Sequence, residues 1–133
     1  MTMQAQTLSI FIDRPWQEVY DAIWRPEIFP RWATGLSAAG LHDDNGVWRA
    51  KGPGGGDVII RFTGQNAFGV MDHTVVMRSG AEIHVPMRVV ANGDGAEVML
   101  TLFRQPGVSV EAFEHDAQWV RRDLQQLRDM LTG

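Results

Sequence analysis

Cysteine is absent from the 133-residue chain, which excludes disulfides, thiolate catalysis and zinc or iron–sulfur sites built on cysteine. Long apolar runs are also missing, since no stretch approaches the ~18 residues of a membrane-spanning helix. The first ten residues, MTMQAQTLSI, have neither the basic segment nor the apolar core of a signal peptide. We therefore expect no membrane span and a cytoplasmic location.

Basic residues are in the minority, with 12 Lys and Arg against 16 Asp and Glu and a formal net charge of -4. Binding to nucleic acid normally requires a clustered basic surface. The densest basic pair, Arg121–Arg122, lies in a segment that also carries several acidic residues, which is typical of a solvated helix face. We expect no nucleic-acid partner.

The N-terminal third predicts a strand followed by two helices. Residues 7–12 (TLSIFI) have strand composition, and Trp16, Val19, Tyr20 and Ile23 then recur with the spacing of one helical face. Pro26 ends that helix and begins a second, short one. The chain is long enough for one domain with a core and too short for two, so we expect a single domain over 1–133.

The middle of the chain predicts a meander of antiparallel strands. Six segments have strand-like composition, and Asn45-Gly46, the Gly52–Gly56 run, Ser79-Gly80 and the NGDG at 92–95 are turn signals between them. The segments are 36–42, 47–51, 58–63, 70–77, 82–90 and 97–103.

A long amphipathic helix closes the chain. Ser109 is suited to cap it and Glu111 suits its first turn. The residues of its apolar stripe are spaced alternately four and three apart, as a helix that covers a one-sided sheet requires. They are Phe113, Ala117, Val120, Leu124, Leu127 and Leu131.

Side-chain alternation sets the register of the last strands. An NGDG loop pairs Ala91 with Ala96, and the same register places Arg104 opposite Ile83 on the inner face. A three-residue loop at 78–80 puts His73 on the inner face with apolar neighbours and sends Asp72 outward. A four-residue loop at 65–68 would pair Ile60 with His73 and Arg61 with Asp72.

The order strand, two helices, six strands and long helix resembles the START-like, or helix-grip, superfamily (SRPBCC), which includes the polyketide cyclase/dehydrase type. The motif LSIFIDRPWQEVYDAIWRPEIFPRW carries the resemblance, through Pro15, Val19, Tyr20, Pro26 and Trp32. Later segments such as GVMDHTVVM resemble a largely uncharacterised bacterial branch. The resemblance implies an α+β fold in which a curved seven-stranded antiparallel sheet packs on the long C-terminal helix.

The resemblance also implies an elongated cavity between sheet and helix that holds lipophilic or aromatic small molecules. Ile28, Phe29, Trp32, the Gly52–Gly56 loop and the region of Phe68 would lie near its mouth. The residues we expect to contact such a ligand are Trp32, Phe29, His73, Met71, Val75, Met87, Leu100, Arg104, Val120 and Leu124.

His73 is the candidate for chemistry. One interpretation makes it a structural histidine that is hydrogen-bonded to the backbone or to a buried water. The other places it on the cavity, where it binds a polar ligand group or acts as an acid or base. Arg104 either extends to solvent or holds an anionic head group, and together His73 and Arg104 would suit an amphipathic acid.

Metal and phosphate sites are not predicted. The histidines His42, His73, His84 and His115 form no ligand motif. The Gly52–Gly56 run lacks the Gly-Lys-Ser/Thr ending of a phosphate loop and precedes a strand, so a hairpin loop that flaps over the cavity is the better interpretation. We expect no cofactor.

Three functions stay open from the sequence. The first is binding of a hydrophobic or amphipathic small molecule in the cavity. The second is a cyclase- or dehydratase-type enzyme that uses His73 as acid or base. The third is a protein-interaction module or homodimer without a ligand, because this fold supports unrelated activities.

Overall fold

The computed structural model describes residues 1–34, 41–51 and 56–132, and within these ranges the chain forms eight strands, three α-helices and one 3-10 helix. In chain order the elements are β1 (Ala5–Ile12), α1 (Trp16–Ile23), the 3-10 helix (Pro26–Ile28), α2 (Phe29–Trp32), β2 (His42–Asp44), β3 (Val47–Lys51), β4 (Asp57–Phe62), β5 (His73–Val76), β6 (Glu82–Val85), β7 (Met87–Asn92), β8 (Gly95–Phe103) and α3 (Val110–Thr132).

The described strands form two antiparallel sheets, a three-stranded one in the order β1-β8-β7 and a five-stranded one in the order β2-β3-β4-β5-β6. Helix α3 packs on β1, and α2 contacts α3. The predicted α+β architecture is confirmed, with a long C-terminal helix against a curved antiparallel sheet. The described residues contain eight strands where seven were predicted, because one predicted strand is divided in two.

That division occurs at Pro86, which separates β6 from β7. Proline has no N–H and cannot complete a sheet ladder in the middle of a strand. Asp72, on the neighbouring segment, accepts the N–H of Met87 at 2.8 Å and also binds the guanidinium of Arg88. The carbonyl of Pro86 accepts the N–H of Thr101 at 2.9 Å, which ties this corner to β8.

Two predicted hairpin registers are confirmed. Ala91 pairs with Ala96 across the β7–β8 turn. His73 pairs with Val85 across the 78–80 loop, where Gly80 adopts φ +91°. The positive φ is the reason for glycine at this loop position. His73 therefore lies on the inner face, as the alternation pattern predicted.

The predicted register of β4 against β5 is wrong by two residues. Phe62, rather than Ile60, pairs with His73, and Arg61 binds Glu82 instead of Asp72. A two-residue slip preserves which face each side chain occupies, so the inner and outer sets are unchanged.

The connection between β4 and β5 is longer than predicted because Asn66 organises it. The Asn66 amide donates to the carbonyls of Gly64 and Val70, and its oxygen accepts the N–H groups of Phe68 and Val70. The backbone N–H of Asn66 donates to the Tyr20 hydroxyl on α1 at 2.8 Å. Such side-chain bonds satisfy the loop backbone without a ladder.

The predicted pairing of Arg104 with Ile83 is also wrong. Strand β8 ends at Phe103, and the N–H of Arg104 donates to the carbonyl of Gln4. The register fails here because β6 and β8 belong to different sheets once the chain turns at Pro86.

Two sequence interpretations lie outside the described residues. The predicted strand 36–42 falls mostly on residues 35–40, and only its last residue, His42, begins β2. The hairpin loop proposed for Gly52–Gly56 falls on residues 52–55 except for its last glycine.

Helix α3 buries the predicted apolar stripe. Phe113, Ala117, Leu124 and Leu127 are buried, and the Ser109 hydroxyl accepts the N–H of Ala112 at 3.0 Å as an N-cap. Over the described ranges, no helix is long and apolar enough to cross a bilayer.

The corner at Pro86 predicts a stability effect for Asp72. Asp72→Ala leaves the Met87 N–H without its acceptor and removes the ion-pair partner of Arg88. We expect a loss of about 1–2 kcal/mol in the free energy of unfolding, because the carboxylate is partly screened by solvent. Urea unfolding measures this. Asp21→Ala, on the exposed side of α1, is the control and should change stability by under about 0.5 kcal/mol. Equal effects of the two variants would contradict the structural role of Asp72.

Gly69 predicts a second, steric effect. It has φ +70°, and a Cβ there would overlap the carbonyl oxygen of Val89. The two residues are held together because the Val89 N–H donates to the Gly69 carbonyl. Gly80 has a similarly positive φ, but nothing lies within 4 Å of its Cβ position. Gly69→Ala should therefore lower the free energy of unfolding by at least about 2 kcal/mol more than Gly80→Ala. Thermal and urea melts of the pair test this, and similar values would count against the close approach.

Candidate functional site

A cavity of about 700 Å³ lies between the sheets and α3. Both sheets contribute to its wall, because the corner at Pro86 brings β5 and β6 beside β8. Its described lining is Phe29, Trp32, Ala33, His73, Val75, Met77, Ile83, Val85, Leu100, Leu102, Ala112, His115, Asp116, Trp119, Val120 and Asp123. A volume of this size is in the usual range for small-molecule sites.

The structure brings six of the ten predicted contact residues to this cavity: Phe29, Trp32, His73, Val75, Leu100 and Val120. Met71 and Met87 instead border a separate void of about 10 Å³, and Leu124 is buried in the core. Of the residues expected near the mouth, Ile28 packs against the core, and Phe68 is exposed on its loop.

Arg104 is the fourth residue outside the described cavity lining. Its Nε donates to the carbonyl of Val108 at 2.7 Å, within the turn that leads to α3. The structure thus does not bring Arg104 to His73. The hypothesis that His73 and Arg104 together bind an amphipathic acid therefore lacks the cation that it requires.

His73 lies on the cavity wall at the start of β5, with only 6% of its surface exposed. Its Nδ1 lies 3.2 Å from the carbonyl oxygen of Met71, two residues earlier. Phe29 and Phe62 contact the ring, with centroid distances of 5.2 and 6.0 Å. The hydrogen bond to the backbone fits the interpretation of His73 as a structural histidine. Its position fits the interpretation that it lines the cavity, so both interpretations apply to the same residue.

Burial decides the charge of His73. Desolvation lowers the pKa of the imidazole below its ordinary 6.5, and this outweighs the bond to the Met71 carbonyl and the nearby Asp72 charge, which both raise it. The ring is therefore neutral at pH 7. A neutral imidazole offers one donor and one acceptor nitrogen.

The α3 side of the cavity carries polar residues that the sequence reasoning missed. Asp116, Trp119 and Asp123 line it beside Val120, and Asp123 is only 7% exposed. The signal was present, because 116, 119, 120 and 123 have the spacing of one helical face adjoining the apolar stripe. The charge pattern of this helix predicts that its acidic residues are solvated, and this is wrong for Asp123.

A chain of hydrogen bonds joins α3 to the residues after α2. The indole N–H of Trp119 donates to the Thr34 hydroxyl at 3.0 Å, and that hydroxyl donates to Asp123 Oδ1 at 2.8 Å. Trp119 is 41% exposed, and His115 stacks on it with a centroid distance of 6.3 Å. This chain fixes one edge of the cavity.

Trp32 packs edge-on against Phe29, with ring centroids 5.2 Å apart, and is 2% exposed. Its Nε1 is the buried side-chain nitrogen that lacks a hydrogen-bond partner in the described part of the chain. The void of about 10 Å³ that borders Trp32, Thr63 and His73 is about the size of a single water.

Metal-binding clusters are not found in the ranges that the structure describes, where no three His, Asp or Glu side chains converge. The cavity carries one imidazole on its sheet wall and carboxylates with a second imidazole on its helix wall. This arrangement is suited to hold an apolar body with a few hydrogen-bonding groups.

Comparison with known proteins identifies the fold. No family model matches the chain, and no curated protein matches it. A Bacillus thuringiensis protein is 17% identical over 98% of this chain and 100% of its own, with a TM-score of 0.74. Ara h 8.0201 is 12% identical over 96% of this chain and 97% of its own, with a TM-score of 0.66.

CalU16 from Micromonospora echinospora is 17% identical over 98% of this chain and 76% of its own, with a TM-score of 0.65. Identities of this size show the fold alone. The chain has the helix-grip fold, as the resemblance noted in the sequence implied.

Burial of His73 predicts a pH effect on stability. Because its folded pKa lies below the ordinary 6.5, the unfolded chain binds the proton first as pH falls. The stabilisation is present above pH 6.5 and is lost as pH falls through the lowered folded value. His73→Leu should therefore lose stability less steeply than the wild type below pH 6.5, in urea unfolding over a pH series. Val75→Ala removes no titratable group and is the control, so its unfolding free energy should depend on pH as that of the wild type does. The same pH dependence in His73→Leu would contradict the burial argument.

Proposed function

We propose that this protein binds a hydrophobic or amphipathic small molecule in the cavity between its sheets and α3. The observation that carries the proposal is the cavity itself, whose wall is mainly aliphatic and aromatic and includes a neutral imidazole. Ligand sites of this kind combine a large apolar surface with few polar groups. The helix-grip fold supports the proposal at the level of architecture only.

Packing around the cavity also supports binding. The wall residues Val75, Val85 and Leu100 are buried by their neighbours, so the wall is formed before a ligand arrives. The hydrogen-bond chain from Trp119 through Thr34 to Asp123 fixes the α3 edge. A preformed site loses less entropy on binding than one that must be ordered.

A lyase or isomerase that uses His73 as acid or base is the second candidate. The observation in its favour is that His73 is neutral and lies on the cavity, as a general base requires. Its test is conversion: a candidate ligand incubated with the protein should change mass or structure by mass spectrometry. Conversion that persists in His73→Leu would exclude this role.

An interaction module without a ligand is the weakest of the three candidates, because it would leave no use for an open cavity. The homodimer alternative and the cytoplasmic location stay predictions from the sequence.

A neutral fluorescent probe tests the binding proposal. N-phenyl-1-naphthylamine should gain fluorescence with the wild type as it leaves water for the apolar wall. Val120→Trp places an indole in the cavity from α3 and should abolish the gain. Arg121→Trp adds the same indole on the exposed side of that helix and should leave it unchanged. Equal signals from both variants would place the probe elsewhere.

Native mass spectrometry of the purified protein addresses the natural ligand. We expect an adduct of small-molecule mass on the wild type that Val120→Trp lacks and Arg121→Trp keeps. An adduct that all three proteins carry alike would argue against the cavity.

A further inference from the structure

The hydrogen bond of His73 fixes its tautomer. A carbonyl oxygen only accepts, so the contact of Nδ1 with the Met71 carbonyl at 3.2 Å requires the proton on Nδ1. On a neutral ring, Nε2 then carries a lone pair and no proton. The tautomer is thus assigned from a bond between residues two apart in the same chain segment.

Nε2 of His73 has no hydrogen-bond partner in the described part of the chain, and unlike Nε1 of Trp32 it is not fully enclosed by protein atoms. His73 borders the cavity of about 700 Å³ and also the void that is about the size of one water. Only 6% of the residue is exposed, so its free acceptor lies at one of these two spaces.

The described wall of the cavity lacks the Lys and Arg side chains that usually bind a carboxylate. None of its described lining residues is Lys or Arg, and residues 35–40, 52–55 and 133 carry no charged side chain. On the α3 wall lie Asp116 and Asp123, both of acidic type, together with the imidazole of His115. A ligand carboxylate would meet the lone pair of Nε2 on one wall and these acidic residues on the other.

We propose that Nε2 of His73 faces the larger of the two spaces and that the cavity selects its ligand by a hydroxyl group: a phenol or alcohol donates to Nε2, and the carboxylic acid of the same skeleton is disfavoured. This inference rests on the proposed function and narrows its ligand class. It replaces the amphipathic acid that the sequence suggested.

Three naphthalenes of similar shape test the inference by isothermal titration calorimetry: 2-naphthol, 2-methoxynaphthalene and 2-naphthoate. We expect the wild type to bind 2-naphthol about tenfold more tightly than the ether, because the ether has no proton for Nε2. The binding of 2-naphthoate should be the weakest. Equal affinity for naphthol and ether, or naphthoate as the tightest ligand, would overturn the inference.

Variants assign the preference to His73. His73→Leu should bind the ether with an affinity near that of the wild type and lose the tenfold preference for naphthol. Val75→Ala, two residues along the same strand, should change both affinities together and keep their ratio. A preference that survives in His73→Leu would overturn the assignment.

Nitrogen-15 NMR of the wild type needs no variant and keeps the inference testable if His73→Leu does not fold. The His73 ring should show a protonated Nδ1 and an unprotonated Nε2, and the Nε2 resonance should shift with 2-naphthol but not with the ether. A proton on Nε2 in the free protein would overturn the inference.

The two proposals fail differently. If N-phenyl-1-naphthylamine binds in the cavity while naphthol and ether bind alike, the hydroxyl preference is wrong and the binding function stands. If none of these four compounds binds, both proposals fail.

Discussion

The hydrogen bond from the Met87 N–H to the Asp72 carboxylate holds the corner at which the chain passes from one sheet to the other. Pro86 has no N–H to donate to a sheet ladder at this point, and Asp72 supplies the acceptor for the following N–H, that of Met87. The corner decides where the cavity lies, because it brings His73 of the five-stranded sheet and Leu100 of the three-stranded sheet to one wall. Without the turn, the predicted single sheet would have had one continuous inner face.

Local pattern predicted the architecture because the pattern and the fold agree at each level. The stripe on α3, the glycine at position 80 and the alternation around His73 each follow from backbone geometry that a short window of sequence records. The same reasoning failed where side chains replace the ladder. Asn66 satisfies a loop backbone through its own amide, and Asp72 does so at Pro86, and neither bond has a periodic signature.

The polar group of the sheet wall was predictable, whereas on α3 only the apolar Val120 was predicted. An imidazole among aliphatic strand residues is conspicuous, so His73 was found. Asp123 lies on a helix with several exposed acidic residues, and only the packing of α3 against the residues after α2 distinguishes it from them. Arg104 shows the opposite error, because it was predicted to lie on the cavity and does not. The prediction extended the strand register beyond the corner at Pro86, but β8 ends at Phe103.

The bond between His73 and the Met71 carbonyl spans two residues of one segment, so it depends little on the rest of the wall. Most aliphatic residues of the cavity wall lie on other strands and on α3, although Val75 shares β5 with His73, and these residues contribute shape alone. Evolution or protein engineering could therefore change the size of the cavity by substituting those residues, while the orientation of the imidazole stays the same. In such a scaffold the orientation of the imidazole and the shape of the cavity wall vary independently, so the cavity can change shape without moving His73.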